Sequence, residues 1–154
     1  MNTAKNYGAN AYASIGLETG VASASPHGLI LMLFDGAIQA IINADQRMRA
    51  GDTPGKGKSI SKAIEIIDQG LSASLDESVG GELTQSLKAL YEYMCRRLVV
   101  ANLKNDTSIL TEVRKLLSEL REAWAAIGKG GEGNIEQSAT KPTKQPDLAR
   151  RLTA

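Results

Sequence analysis

The sequence predicts an all-α fold, an antiparallel up-down four-helix bundle, and three observations support this class. The 154-residue chain is 42% hydrophobic but only 4% aromatic, so its core must be aliphatic, which suits helices better than sheets. Apolar residues recur at helical spacing through four segments, the pattern of helices that each bury one face. The connections between these segments are too short for a long crossover, which favours antiparallel neighbours.

The first helix is expected to begin at Ser25-Pro26, because serine caps helix N-termini and proline is tolerated at the first helical position. It should continue to Ala50, and Gly51 provides a C-terminal stop. Residues 29–34 are apolar on nearly every side of this helix. Its main stripe consists of Leu29, Leu33, Ala37, Ala40, Ala44 and Met48.

Three further helices follow the first. Residues 51–57 (GDTPGKG) are expected to form a loop before a second helix over about residues 59–75. The third helix should cover residues 82–104, and the fourth should begin with Asp106 or Thr107 as its cap and end at Gly128. The main stripe of the second helix is Ile60, Ile64, Ile67, Leu71 and Leu75. That of the third helix is Leu83, Leu87, Leu90, Tyr91, Met94, Leu98 and Ala101, and that of the fourth is Ile109, Val113, Leu116, Leu120, Trp124 and Ile127.

This pattern divides the chain into three parts. Residues 25–127 form the bundle domain, whereas residues 1–24 are small and polar and form an N-terminal segment. Residues 128–154 are rich in glycine and polar residues and lack a core-forming pattern, so we expect a flexible, disordered tail.

Composition excludes several classes of function. The net charge is +1, from 18 basic and 17 acidic residues, so nothing indicates a nucleic-acid partner. The N-terminus lacks the features of a secretory signal, and the longest apolar run is residues 29–34, far below the roughly 20 residues that span a bilayer. We therefore expect a soluble cytoplasmic protein without membrane insertion.

The chain offers little for catalysis, so we expect no enzyme, metal or cofactor. His27 is the single histidine, so it has no histidine partner for a zinc or di-iron site, and we expect it to face solvent. The single cysteine, Cys95, is expected to lie as a small apolar residue on a helix flank. Gly57-Lys58-Ser59 resembles part of a phosphate loop, but Asp52 occupies the position of the first glycine.

Second apolar stripes on two helices indicate partner binding. A helix in a square bundle needs one apolar stripe, yet helix two carries another about 100° away from the first, and helix three also carries a second stripe. A centrally buried helix or self-assembly would also explain these stripes. The candidate partner-binding residues are Ala63, Ile66, Gly70 and Ala73 on helix two, and Ala89, Tyr93 and Val100 on helix three.

Several segments, in this order, resemble one family. The segments are an early tyrosine (Tyr7 or Tyr12) and then residues 24–38 (ASPHGLILMLFDGAI), 60–67 (ISKAIEII), 90–93 (LYEY) and 120–124 (LREAW). Together they resemble the FliS-type flagellin export chaperones, with the departure that Phe34 stands where the family commonly has tyrosine.

The resemblance implies a function and a partner. Such proteins bind the C-terminal segment of flagellin in the cytoplasm, prevent its premature polymerisation and help present it to the flagellar type III export apparatus. The resemblance also implies an antiparallel helical bundle whose N-terminal segment can cover the binding groove, so Tyr7 and Tyr12 become lid candidates. A self-assembling structural or adaptor protein, including a homodimer, remains the alternative.

Overall fold

The computed structural model describes residues 25–140 except residues 77 and 79, with side chains up to residue 128. Helix α1 spans Pro26–Arg49 and α2 spans Thr53–Glu65, which continues as a π-helical segment over Ile66–Ser72. Helix α3 spans Gly81–Lys104 and α4 spans Thr107–Thr140. Within the described residues every regular element is helical, so the all-α prediction is confirmed.

The helices are arranged as a bundle in which α1 and α3 each contact both α2 and α4. His27 near the start of α1 bonds to Trp124, and Asp35 further along α1 pairs with Arg121. Because residue numbers rise along α1 while they fall along α4, these contacts place the two helices antiparallel.

Aliphatic side chains from all four helices form one core. Its members are Leu33, Phe34, Ala37, Ala40, Ile41, Ala44, Ile60, Ala63, Ile66, Ile67, Leu71, Tyr91, Met94, Leu98, Ala101, Ile109, Leu110, Val113, Leu117 and Leu120. By length and composition alone α1 could cross a membrane, but a core helix of a soluble protein passes the same test. Leu33, Ala37 and Ala44 of α1 are fully buried in this core, so the feature is weak evidence for a membrane span.

Two predicted helix starts are confirmed by their capping bonds. The Ser25 hydroxyl accepts a hydrogen bond from the Gly28 N–H at 3.0 Å. The Asp106 carboxylate accepts one from the Ser108 N–H at 2.9 Å, so Asp106 rather than Thr107 caps α4. Each bond satisfies a backbone donor that the first helical turn leaves without a partner.

The expected loop over residues 51–57 is wrong for most of its length, because α2 already begins at Thr53. Asp52 caps this helix by accepting a hydrogen bond from the Gly55 N–H at 3.0 Å. Pro54 lies in the first turn, where its missing N–H would have no intrahelical partner. The glycines and the proline from Pro54 to Gly57 therefore belong to the capped start of α2. Of the residues expected to form the loop, Gly51 keeps a turn conformation, with φ +75°.

The predicted end of the fourth helix at Gly128 is also wrong, since α4 continues to Thr140. Gly128 does not stop the helix. It lies against the imidazole of His27, where a glycine leaves room for the ring.

Lys56 joins the start of α2 to the end of α3. Its side chain is buried, and Nζ donates hydrogen bonds to the Asn102 carbonyl at 3.0 Å and to Asn105 Oδ1 at 2.5 Å. Asn105 ends α3 in the left-handed conformation, with φ 52°. A cation at a helix C-terminus also interacts favourably with the helix dipole, so Lys56 stabilises this junction in two ways.

Replacing Lys56 by methionine is expected to lower the free energy of unfolding by about 1–2 kcal/mol, because two acceptors lose their donor. Urea unfolding followed by circular dichroism measures the change. Lys58→Met is the matched control, since Lys58 is exposed on the same helix. An equal loss of unfolding free energy in both variants would show that the buried hydrogen bonds of Lys56 contribute nothing to stability.

Candidate partner-binding surface

The structure buries most of the stripe predicted on the second helix. Ala63 and Ile66 are 0% and 1% exposed, and Gly70 is also buried. The expectation that this stripe lies outside the core is therefore wrong for these three residues, and only Ala73 is exposed. The wider turn of the π-helical segment brings both Ile66 and Ile67 onto the core face, whereas Ala63 lies in the regular α-helix, three residues after the core residue Ile60.

The stripe predicted on the third helix lies at or near the surface. Ala89 is exposed, whereas Tyr93 and Val100 are half-buried. The Tyr93 hydroxyl donates a hydrogen bond to Glu112 of α4 at 2.5 Å, so this flank faces α4. The opposite flank faces α2, where Cys95 Sγ lies 4.0 Å from the carbonyl oxygen of Ile64. The two predicted stripes therefore do not combine into one groove.

Glu112 is the centre of a polar contact between α3 and α4. Besides the Tyr93 bond, it accepts a hydrogen bond from Arg97 Nε at 3.0 Å. These donors hold the pKa of Glu112 below its usual value, with the Tyr93 bond the larger cause. The bond to this carboxylate in turn raises the pKa of Tyr93, because loss of the phenolic proton would break it.

The Glu112 contact predicts a pH dependence of stability. A carboxylate whose pKa is lower in the folded state stabilises the fold above its unfolded pKa of about 4.3 and loses that contribution as the pH falls. The difference in free energy of unfolding between the wild type and Glu112→Gln should thus be largest near neutral pH and shrink in acid. Urea unfolding across a pH series measures it, and an equal difference at every pH would contradict the assignment.

Helix α3 also exposes an apolar pair, Val99 and Leu103, that the predicted stripes did not include. Val99 is 48% exposed and Leu103 is 77% exposed, although both are large hydrophobic residues. They belong to a straight line of exposed positions along the helix, which we call the outer face of α3. The outer face consists of Gln85, Ala89, Glu92, Arg96, Val99 and Leu103.

A sequence signal for this surface existed. Val99 and Leu103 are four residues apart and point away from the core residues Met94, Leu98 and Ala101. An apolar pair on the face opposite a complete core stripe has no role in the isolated bundle. Such exposed apolar patches commonly mark sites of protein interaction.

A third exposed large hydrophobic residue, Ile127 at 48%, lies on α4 three residues after Trp124, which contacts His27. The two rings are stacked, with centroids 5.0 Å apart and planes 13° apart. His27 Nε2 lies 2.6 Å from the Trp124 carbonyl oxygen, and Trp124 Nε1 donates to the His27 carbonyl at 3.1 Å. His27 is half-buried, so the expectation that it faces solvent is wrong.

Histidine and cysteine, which are common metal ligands, occur once each in the chain, as His27 and Cys95. In the part of the chain that the structure describes, no group of three or more His, Cys, Asp or Glu side chains could hold a metal ion. Burial raises the pKa of the Cys95 thiol to about 11, so it is protonated at neutral pH and is a poor nucleophile. Cys95 thus lies half-buried on a helix flank, as the sequence predicted.

Comparison with known proteins identifies the family. A sequence profile described as "Flagellar protein FliS" matches residues 8–131, which is more than half of the chain. The chain belongs to the FliS family. This confirms the resemblance seen in the sequence, and the match covers the whole of α1, α2 and α3 and most of α4.

Curated FliS relatives are similar over most of their length. The flagellar secretion chaperone FliS of Salmonella typhimurium is 52% identical, over 78% of this chain and 89% of that protein. The Escherichia coli protein of the same name is 51% identical, over 76% and 86%. The flagellar secretion chaperone FliSB of Pseudomonas aeruginosa is 45% identical, over 75% and 91%. All three names describe chaperones rather than enzymes.

Proposed function

We propose that this protein is a cytoplasmic export chaperone that binds the C-terminal helical segment of flagellin. It prevents premature polymerisation of flagellin and aids its delivery to the flagellar type III export apparatus, with components of the export gate as further partners. Membership of the FliS family and the names of its relatives support a flagellar secretion substrate as partner. The observation that carries the proposal is the exposed apolar pair Val99 and Leu103 on a bundle whose core is already complete.

The outer face of α3 suits an amphipathic helix. Leu103 and Val99 provide apolar anchors, and the small side chain of Ala89 leaves space for larger residues of the partner. An amphipathic helix binds such a surface through residues three and four apart on one of its faces. Val100 and Tyr93 extend the contact towards α4, and Ala73 is the one exposed residue of the predicted stripe on the second helix.

The energetics allow a disordered client to fold as it binds. Burial of about 500 Å² of apolar surface yields roughly 12 kcal/mol at about 25 cal/mol per Å². Ordering a disordered segment costs about 2–5 kcal/mol or more, and the loss of rigid-body freedom lowers the net gain further. The free energy gained by burying an apolar stripe of flagellin therefore exceeds the ordering cost. Binding of this kind needs no nucleotide or cofactor.

The lid assignment rests on the resemblance alone. Tyr7 and Tyr12 lie outside the described residues, within the N-terminal segment of residues 1–24. We propose that this segment covers the binding surface until flagellin displaces it. Deletion of residues 1–24 should then increase affinity for a flagellin C-terminal peptide.

Replacing Leu103 by glutamate is expected to weaken binding of a flagellin C-terminal peptide by about tenfold or more, because a large apolar contact is lost. Isothermal titration calorimetry measures the affinity, and a melting curve checks that the variant is folded. Ile127→Glu is the matched control, since Ile127 is an exposed hydrophobic residue of α4. Unchanged affinity in a folded Leu103→Glu protein would exclude the outer face of α3 as the binding surface.

A further inference from the structure

The distal part of α4 combines exposed apolar residues with two carboxylates. Ile127 is 48% exposed, and Ala126 beside it is exposed as well. Glu122 and Glu119, which lie one and two turns before Ala126, are also exposed. The four residues share one side of the helix, because positions three, four and seven apart are neighbours on a helix surface. We call them the distal face of α4.

A basic segment with two leucines follows α4 in the sequence, outside the residues that the structure describes. Residues 141–154 contain four basic side chains and one acidic side chain, a net side-chain charge of +3. Within the sequence LARRL, Leu148 and Leu152 are four residues apart, and in a helical turn Arg151 shares their face. The FliS profile ends at residue 131, so this segment lies outside the part of the chain that matches the family.

We propose that residues 148–152 of the same chain dock on the distal face of α4, antiparallel to the helix. The two leucines pack on Ile127, and Arg151 lies between the two carboxylates, to which the five N–H donors of a guanidinium can bond. The order of the groups agrees on both sides of the contact. From its end backwards α4 presents first the apolar residues and then the carboxylates, and the segment presents Leu148 before Arg151.

The length of the intervening chain allows this contact. Helix α4 continues about 20 Å beyond Ile127, to Thr140, at 1.5 Å per residue. Pro142 disfavours a helical conformation in the residue before it, so the chain can turn back there. From residue 141 to Leu148 an extended chain spans up to about 25 Å, which is enough to return to the level of Ile127.

This contact accounts for the exposed hydrophobic residue that the proposed function does not use. Val99 and Leu103 are assigned to the client, whereas Ile127 is not. Docking of residues 148–152 covers Ile127 and leaves the outer face of α3 open. Because the segment is tethered to its own surface, its effective concentration there is high, which favours it over the segment of a second copy.

Disulfide formation between paired cysteines measures the proximity. Cys95, the single cysteine, is first replaced by alanine, so that only introduced thiols react. Ala126→Cys combined with Ala149→Cys places two thiols beside the proposed contacts and retains Ile127 and both leucines. Ala73→Cys combined with Ala149→Cys is the matched control, because Ala73 is exposed at the same end of the bundle but on α2, across from α4.

Under mild oxidation the Ala126 pair is expected to form an intramolecular disulfide at least about tenfold faster than the Ala73 pair, because docking raises the effective concentration of its thiols. Arg151→Glu should remove most of this advantage, and exchange of both distal-face glutamates for arginine should restore it. Arg150→Glu makes the same change of charge on the opposite face of the turn and should retain the advantage. Melting curves of the reduced proteins check that each variant is folded.

Four results would overturn the proposal. They are equal rates for the two cysteine pairs, a disulfide that joins two chains instead of closing within one, an unchanged rate in the Arg151→Glu protein, and equal losses from Arg150→Glu and Arg151→Glu. Non-reducing electrophoresis separates the products that join two chains from those closed within one chain. The experiment contains no flagellin, so its failure leaves the proposed function standing.

Discussion

Replacing Ile66 by aspartate is expected to unfold the bundle, with a loss of more than about 4 kcal/mol in the free energy of unfolding. Ile66 is 1% exposed and packs in the core, so the substitution removes a large apolar side chain and buries a carboxylate without a partner. A loss of this size is a large fraction of the roughly 5–15 kcal/mol that stabilises a typical domain. Urea unfolding and thermal melts followed by circular dichroism measure the effect.

The control for this prediction comes from the same predicted stripe. Ala73 is exposed directly after the π-helical segment, so Ala73→Asp should change stability by no more than about 0.5 kcal/mol. If Ile66→Asp melts like the wild type, the burial of Ile66 described above is wrong. A large loss of stability for Ile66→Asp and none for Ala73→Asp would show that Ile66 belongs to the core and that Ala73 lies at the surface.

Replacing Gly128 by alanine is expected to destabilise the protein by about 1–3 kcal/mol, the usual cost of overpacking. A glycine-to-alanine change inside a helix normally stabilises it by about 0.5–1 kcal/mol, so the predicted sign is reversed. The reason is that a Cβ atom at Gly128 would overlap the imidazole of His27. That ring cannot move away freely, because it is stacked on Trp124 and bonded to its carbonyl oxygen.

Gly57→Ala provides the matched control, since Gly57 is also helical and no atom lies within 4 Å of an added Cβ. It should gain stability by about 0.5–1 kcal/mol. Trp124 is the single tryptophan, so its fluorescence reports directly on the contact with His27. A Gly128→Ala protein that is as stable as the wild type, with unchanged fluorescence, would contradict the close approach of Gly128 to the ring.

Local sequence signals predicted much of the fold. The starts of α1 and α4 were recognisable because Ser25 and Asp106 act on the backbone only two or three residues away. The start of α2 was missed because Asp52 acts as a cap beside glycines that resemble a loop. Lys56 and His27 could not be placed from the sequence, since their partners lie 46 and 97 residues away.

The candidate site was harder to predict for a geometric reason. Counting 100° per residue assumes a regular α-helix, and the π-helical segment at Ile66–Ser72 departs from that assumption. Ile66 was assigned to the surface although it is buried, and so was Ala63, which lies before this segment in the regular α-helix, so the π-helical turn explains only part of the error. On α3, where the helix is regular, the same counting placed Ala89 at the surface correctly. It did not single out Leu103, which has the largest exposed fraction among the large hydrophobic residues that the structure describes.

The proposed function requires this FliS-family protein to bind flagellin through the C-terminal segment of flagellin. Calorimetric titration of the full-length protein with monomeric flagellin, and with flagellin lacking that segment, tests it most directly. Saturable binding to complete flagellin and none to the truncated form is the predicted result. Equal binding to both forms, or binding to neither, would contradict the claim.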